Sequence, residues 1–332
     1  MPELRQNMAT KEWVIIATER SKRPDEYVQA KPQLTLSTLP AHDPSCPFCP
    51  GNEEVDLEVE RLPHNDTWQT RVVGNKFPAL SRDGKLIRNW DGVHRCISGV
   101  GYHEIVVEHP RHNTTLALMT PAEIMQVLQT FYSRGWHIRQ DTRIEQIIYF
   151  KNHGERAGAT AKHPHSQIVA LPVVPADIRH RIEEAQRYFD DNGICVYCMM
   201  LQDELQKQDR LIAVNDYFVA FVLYAAFSPF HMWILPRQHR VSFLYAQSDE
   251  LAALADMLHQ ALGRLYIGLN DPSYNLIFRT APAKETGNDY LHWYVSIVPR
   301  LSRSAGFELG SGMFINSSLP EESAAFLRKI NI

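Results

Sequence analysis

The sequence predicts a chain of interleaved strands and helices that is built twice over, with tandem halves at residues 1–176 and 177–332. Three observations carry this reading. Strand-like alternation and helix-like spacing of apolar residues take turns along the chain. Each half contains one C-x-x-C pair, Cys46/Cys49 and Cys195/Cys198. Behind each pair the same order of signals returns, which is the mark of an internal duplication.

In the first half, Trp13 to Ala17 reads as an opening strand, and Arg20-Ser21-Lys22-Arg23-Pro24 as a basic loop. A proline-rich stretch, residues 30–44, leads to Cys46-Pro47-Phe48-Cys49. Asn75-Lys76-Phe77-Pro78-Ala79 follows, then a strand from His103 to Glu108 that ends in His109-Pro110-Arg111-His112. Thr120-Pro121-Ala122-Glu123 has the form of a capping box with proline at the first helical position. Ile124, Val127, Leu128 and Phe131 recur behind it at helical spacing, so a helix is predicted to about Trp136. Gln146 to Phe150 alternates into a strand, and the segment from Asn152 to Pro172 closes the half.

The second half opens with a charged helix, Ala176 to Asp191, and then repeats the pattern. Asn215-Asp216-Tyr217-Phe218 parallels Asn75-Lys76-Phe77. The strand Met232 to Leu235 ends in Pro236-Arg237-Gln238-His239, matching Pro110-Arg111-His112. A helix with Leu251, Leu254, Leu258, Leu262 and Leu265 on one face follows. Leu276 to Arg279 and Leu291 to Pro299 then stand where the last two strands of the first half stood.

The duplication nominates two metal sites. Each half offers two thiolates from its cysteine pair, one histidine after a strand and one histidine at the start of its last strand, the Cys2His2 set of a closed tetrahedral zinc site. The first is Cys46, Cys49, His112 and His163, with His109 as a competitor for the third place that the match of the halves disfavours. The second is Cys195, Cys198, His239 and His292. Two zinc ions per chain are expected, and Cys96 is left over without a role.

The stretch around His163-Pro164-His165-Ser166-Gln167 carries the chemistry. If a strand runs through it, His163, His165 and Gln167 point to one side. Gly154, Ala157, Gly158, Ala159 and Thr160 just upstream are small enough for backbone amides to approach an anion. Two imidazoles, an amide and a small-residue loop suggest phosphate chemistry. The second half has Tyr294 and Ser296 where the first has His165 and Gln167, so only the first half can use an imidazole.

Composition limits the partners. The formal charge of −4 argues against a nucleic-acid binder, which needs a basic face. The most apolar run, Tyr217 to Phe227, is too short to span a bilayer, and no signal-peptide core is visible near Met1. No membrane partner and a cytoplasmic location are the expectation. Five cysteines in 332 residues are too few for a disulfide framework.

Taken together, HPHSQ, the preceding Asn152-x5-Gly158-x-Thr160, the C-x-x-C pair and His112 resemble the galactose-1-phosphate uridylyltransferase family of the histidine-triad superfamily. The resemblance extends from Arg20-x-x-Arg23-Pro24 to the segment Phe307 to Asn316. The second cysteine pair and Phe307-Glu308-Leu309-Gly310-Ser311-Gly312 resemble most a branch that includes a plant ADP-glucose phosphorylase. The resemblance implies two histidine-triad-like α+β halves, each an antiparallel sheet flanked by helices, assembled as a homodimer. It implies ping-pong nucleotidyl transfer with His165 as nucleophile and Gln167 bonded to the phosphoryl oxygens. Asn152, Gly158, Ala159 and Thr160 would line the phosphate site, with Asn75 near the nucleotide. Arg20 and Arg23, with Phe307 and Glu308, would meet the sugar phosphate.

The partners so implied are a nucleotide sugar and a hexose 1-phosphate or inorganic phosphate. Transfer between UDP-glucose and a hexose 1-phosphate is the first expectation. Phosphorolysis of ADP-glucose is the alternative, because Ser311 and Gly312 stand where the enteric uridylyltransferases carry a tyrosine and a glutamate for the hexose. A non-catalytic zinc-stabilised nucleotide binder is a third.

Overall fold

The computed structural model describes residues 1–17, 23–28, 36–63 and 67–332, so Arg20 lies outside the described residues. In chain order the strands of the first part are β1 (Glu3–Gln6), β2 (Trp13–Ile16), β3 (Glu58–Leu62), β4 (Thr70–Gly74), β5 (Arg88–Asp91), β6 (His94–Ile97) and β7 (Tyr102–Val107). Helix α1 (Pro121–Arg139) then leads to β8 (Gln146–His153) and β9 (His165–Leu171). Helices α2 (Ala176–Asn192) and α3 (Val196–Lys207) precede β10 (Leu211–Val214), β11 (Phe218–Val222) and β12 (Met232–Pro236). After α4 (Ser248–Leu269) come β13 (Tyr274–Arg279), β14 (Tyr294–Pro299), α5 (Gly306–Ser311), β15 (Phe314–Asn316) and α6 (Pro320–Arg328).

Ten of these strands form one antiparallel sheet in the order β10-β11-β12-β14-β13-β8-β9-β7-β4-β3. Read outward from its middle, the order is β8-β9-β7-β4-β3 one way and β13-β14-β12-β11-β10 the other. The second list repeats the first, strand for strand, in chain position. The halves join where β8 pairs with β13, with Asn152 opposite Asn275 and Phe150 opposite Ile277. β1, β2 and β15 make a small separate sheet, and β5 and β6 a hairpin.

The alternation of side chains sorts the sheet into two faces. Along β8, Ile147, Tyr149, Lys151 and His153 are buried, whereas Ile148, Phe150 and Asn152 are half-buried on the other side. The buried face meets α1 through Ile124, Val127, Leu128 and Phe131, and α4 supplies Leu251, Leu254, Leu258, Leu262 and Leu265. The Phe131 ring lies 5.4 Å from that of Tyr149 and 5.5 Å from that of Phe278, so one apolar core crosses the join.

The approach of α1 to the sheet depends on Gly135. A Cβ there would stand 2.0 Å from Tyr149 Oη and 2.6 Å from Leu244 Cδ2. Gly135→Ala is therefore expected to cost about 1–3 kcal/mol, read as a lower denaturant midpoint at unchanged slope.

Local structure departs from the sequence reading in several places. Asn152 lies within β8 rather than in the loop after it, and His163 precedes β9 rather than sharing its alternation with His165 and Gln167. Cys198 sits in the first turn of α3, since C-x-x-C also fits one helical turn. β1, β3, β4, the β5–β6 hairpin and α6 carry no strong sequence signal. Among the described residues no helix is long and apolar enough to cross a membrane.

Candidate active site and metal centres

The site is assembled at the start of β9. His165 Nδ1 lies 2.9 Å from the carbonyl oxygen of His163. A carbonyl only accepts, so Nδ1 carries the proton and the lone pair belongs to Nε2. Burial, followed by the charge of Lys151, pushes the pKa of His165 below the usual histidine range and keeps the ring neutral. An imidazole held in this way is prepared to attack an electrophile through Nε2. The ring of Phe48 lies 5.9 Å from it.

A buried network grips the strand from behind. Lys151 Nζ donates to Glu108 Oε2 at 2.7 Å and to the carbonyl of His165 at 3.1 Å, and the hydroxyl of Ser166 donates to Glu108 Oε1. Lys151 and Glu108 are almost inaccessible to water. The pair satisfies both charges and pins the backbone of residues 165 and 166.

Two asparagines meet at the join of the halves. Asn275 Nδ2 donates to Asn152 Oδ1 at 2.8 Å and to the carbonyl of Ala157 at 2.9 Å. This turns the amide nitrogen of Asn152 away from Asn275. Asn152, Ala159, Thr160, Lys162, His163 and His165 border a cavity of about 250 Å³. The sequence suggested backbone amides for an anion here, but those of Ala157, Gly158 and Ala159 bond within the loop, to Gly154 and Glu155 carbonyls. The loop can offer Thr160, whose amide has no backbone partner among the described residues.

A smaller cavity of about 110 Å³ is bordered by Phe48, Leu57, Val73, Asn75 and Ile105. Asn75 Oδ1 accepts from the amide of Phe77 at 2.9 Å. Gln167 Oε1 lies 2.9 Å from His103 Nε2, and the amide of Ala79 donates to His103 Nδ1 at 3.1 Å.

Both nominated ligand sets are brought together. In each, one donor atom per residue lies within 4.8 Å of the others. A tetrahedral zinc ion sets S···N at about 3.6 Å and N···N at about 3.3 Å, from its bond lengths to sulfur and nitrogen. The first cluster has Cys46 Sγ at 3.7 Å and Cys49 Sγ at 3.6 Å from His163 Nδ1. Cys49 Sγ is 3.5 Å from His112 Nδ1, and the two Nδ1 atoms are 3.3 Å apart. His163 Nε2 donates to the carbonyl of His109 at 2.8 Å, which turns the Nδ1 lone pair into the cluster. Burial holds His163 neutral, with its pKa pushed down to about 3. The residues fit a cation. His109 itself points elsewhere, its ring 3.1 Å from Glu123.

In the second cluster Cys198 Sγ lies 3.4 Å from His239 Nδ1 and 3.5 Å from His292 Nδ1. His239 Nε2 donates to the carbonyl of Asn288 at 3.1 Å, which turns the Nδ1 lone pair of that ring toward the cluster.

Other nominated residues stand apart. Arg23 is exposed, and its amide bonds to Glu26 in a short turn. Phe307 and Glu308 lie on α5, with Phe307 exposed. None of the three borders the cavity beside His165. Conversely, His103, Glu108, Lys151 and Asn275 belong to the site and were not singled out from sequence. Lys151 carried one clue, a charge at a core-facing position of a strand, and Glu108 stands directly after β7.

Comparison with known proteins bears on the family. Residues 1–175 match the family model described as galactose-1-phosphate uridyl transferase, N-terminal domain, and residues 111–327 match a domain of unknown function. The chain is 37% identical to an ADP-glucose phosphorylase of Arabidopsis thaliana, covering 100% of this chain and 93% of that protein. It is 29% identical to a galactose-1-phosphate uridylyltransferase of Thermotoga maritima, over 100% and 99%. A solved structure of an ADP-glucose phosphorylase from Arabidopsis thaliana with bound ADP-glucose superposes with a TM-score of 0.83 at 33% identity, over 100% and 99% of the two chains. A duplicated antiparallel sheet, an HPHSQ strand and a family model covering more than half the residues describe one lineage, and the chain belongs to the galactose-1-phosphate uridylyltransferase family.

Proposed function

We propose that this nucleotidyltransferase cleaves a nucleoside diphosphate sugar by ping-pong transfer through a nucleotidyl adduct on His165. The observation that carries the reading is the commitment of His165 Nδ1 to the carbonyl of His163. Nε2 attacks the α-phosphorus, a P–N bond forms, and the P–O bond to the sugar phosphate breaks with its electron pair leaving on that oxygen. The sugar phosphate is already a stable anion, so little acid assistance is needed. The Nδ1 proton stays on the ring and donates to the carbonyl as positive charge develops. An anionic acceptor oxygen then attacks phosphorus, and the histidine is released. Gln167, Asn152 and Thr160 serve as donors to the phosphoryl oxygens, and the cavity with Leu57, Val73 and Asn75 receives the nucleoside.

We further propose zinc in both clusters. Four protein ligands leave no open position, so the ions act as scaffolds. Cys195→Ser is expected to reduce bound zinc from two per chain to one and to lower the melting temperature, with adduct formation within about threefold of normal because its half lacks a nucleophile.

For donor and acceptor, the balance moves toward ADP-glucose and inorganic phosphate. The 37% identity to a plant ADP-glucose phosphorylase supports it, as does the placement of Ser311 and Gly312, which offer no tyrosine hydroxyl or carboxylate to a sugar. Transfer from UDP-glucose to a hexose 1-phosphate stays as the second reading, supported by the family model and the Thermotoga relative. Protein incubated with each nucleotide sugar and weighed intact will reveal which nucleotide is retained. Turnover with phosphate and with galactose 1-phosphate then fixes the acceptor. A preference for UDP-glucose and galactose 1-phosphate by about a hundredfold in kcat/KM, roughly 2.7 kcal/mol, reverses the order.

The separation of Arg23, Phe307 and Glu308 from the cavity supports a homodimer in which a second copy supplies them. Mixing a His165→Gly chain with an Arg23→Ala chain tests this. Activity above that of either alone is expected.

A further inference from the structure

We propose that His103 is a positioning residue that fixes the amide of Gln167, with its NH2 toward the phosphoryl group. The inference rests on the nucleotidyl-transfer reading above and assigns a role to a residue outside it. A backbone donor, which cannot be reversed, sets the tautomer of His103. The amide of Ala79 donates to His103 Nδ1 at 3.1 Å, so Nδ1 is an acceptor and the ring proton is on Nε2. His103 Nε2 lies 2.9 Å from Gln167 Oε1, and an N–H there requires the carbonyl oxygen of the amide, not its nitrogen. Reversing Gln167 would set NH2 against N–H. With Oε1 committed, both Nε2 hydrogens of Gln167 remain for a substrate.

The same logic settles Asn75. Its Oδ1 accepts from the amide of Phe77, which leaves its NH2 toward the ring, 3.1 Å from His103 Nε2. That nitrogen gives its proton to Gln167, so the Asn75 NH2 meets a donor there and makes no hydrogen bond to the ring. The imidazole therefore orients Gln167, whereas Asn75 is oriented by the amide of Phe77.

The duplication offers a control inside the molecule. Ile105 pairs with Gln167 between β7 and β9, and Trp233 pairs with Ser296 between β12 and β14. His103 and His231 each lie two residues before those positions. His231 Nε2 lies 3.0 Å from Ser296 Oγ, so the imidazole-to-head-group pairing occurs in both halves. A hydroxyl can turn, whereas an amide has two chemically different ends. The orienting effect has a consequence only where the head group is Gln167.

The test measures the rate at which the full-length protein acquires a nucleotidyl group from ADP-glucose or UDP-glucose, by intact mass under single-turnover conditions. His103→Asn keeps an acceptor near Nδ1 for Ala79 but cannot reach Gln167, and a tenfold to hundredfold loss is expected, roughly part of the effect of removing one oxyanion donor. His103→Gln places an NH2 near the lost Nε2, and recovery to within about threefold of normal is expected. In a Gln167→Ala background, His103→Asn should change the rate by less than about twofold, because there is no amide left to orient. Melting temperatures distinguish a folding defect, which the His103→Gln rescue and the double variant do not share. A normal rate for His103→Asn, or an equal loss with and without Gln167, overturns the proposal. Wild-type protein that acquires no group from either donor removes the nucleotidyl-transfer reading beneath it, an outcome seen before any variant is made.

Discussion

His165→Gly is expected to lower nucleotidyl transfer by roughly 10⁴- to 10⁶-fold and to eliminate the covalent adduct, at nearly normal stability. The magnitude is that of deleting a nucleophile from a site whose remaining donors stay in place. Stability should change little because the imidazole faces a cavity, and its hydrogen bond to the carbonyl of His163 is local. The glycine leaves a ring-sized space beside Phe48, so free imidazole should restore part of the rate by attacking the donor itself. In that case the product is nucleotidyl-imidazole in solution, and the protein stays unmodified. Rescue as free product separates loss of a nucleophile from collapse of the site. A variant that retains turnover within tenfold of normal, or an adduct that persists on another residue, would defeat the assignment of His165.

Much of this site was legible because its parts are close in sequence or repeated. His165 and Gln167 are two apart in a strand, and period two puts them on one face whatever the strand pairs with. The ligand sets were legible because the chain states them twice, and the competition between His109 and His112 was decided by matching the halves. His103, Asn275, Lys151 and Glu108 were not legible in this way. Each acts through a register between strands, such as Asn152 opposite Asn275, and single-sequence patterns do not encode register across 123 residues. The helical turn at Cys198 was missed for a different reason. Two cysteines three apart fit a loop knuckle and one turn of helix equally well, and the apolar residues of α3 show no clean stripe before tertiary packing.

The first metal cluster should matter to both stability and chemistry, unlike the second. Cys49→Ser is expected to leave one zinc per chain, to lower the melting temperature and to reduce adduct formation by at least about a hundredfold in protein that is still folded. The reason is the short path from the metal cluster to the nucleophile. His163 would bind through Nδ1, its Nε2 is fixed on the carbonyl of His109, and its own carbonyl holds the Nδ1 proton of His165. Releasing the ring of His163 therefore frees the acceptor that sets the tautomer of the nucleophile. A shift of the proton to Nε2 would remove the attacking lone pair. Structural zinc sites in small peptides are worth roughly 10 kcal/mol or more at neutral pH, but here neither Cys46 nor Cys49 belongs to the main apolar core, which is expected to survive metal loss. Folding should thus be weakened, not abolished, which makes the chemical effect measurable. Chelation of the wild type should reproduce the loss of adduct, and added zinc should reverse it. If Cys49→Ser binds a single zinc and still forms adduct at the rate of Cys195→Ser, the first cluster does not hold the nucleophile, and the path through His163 is wrong.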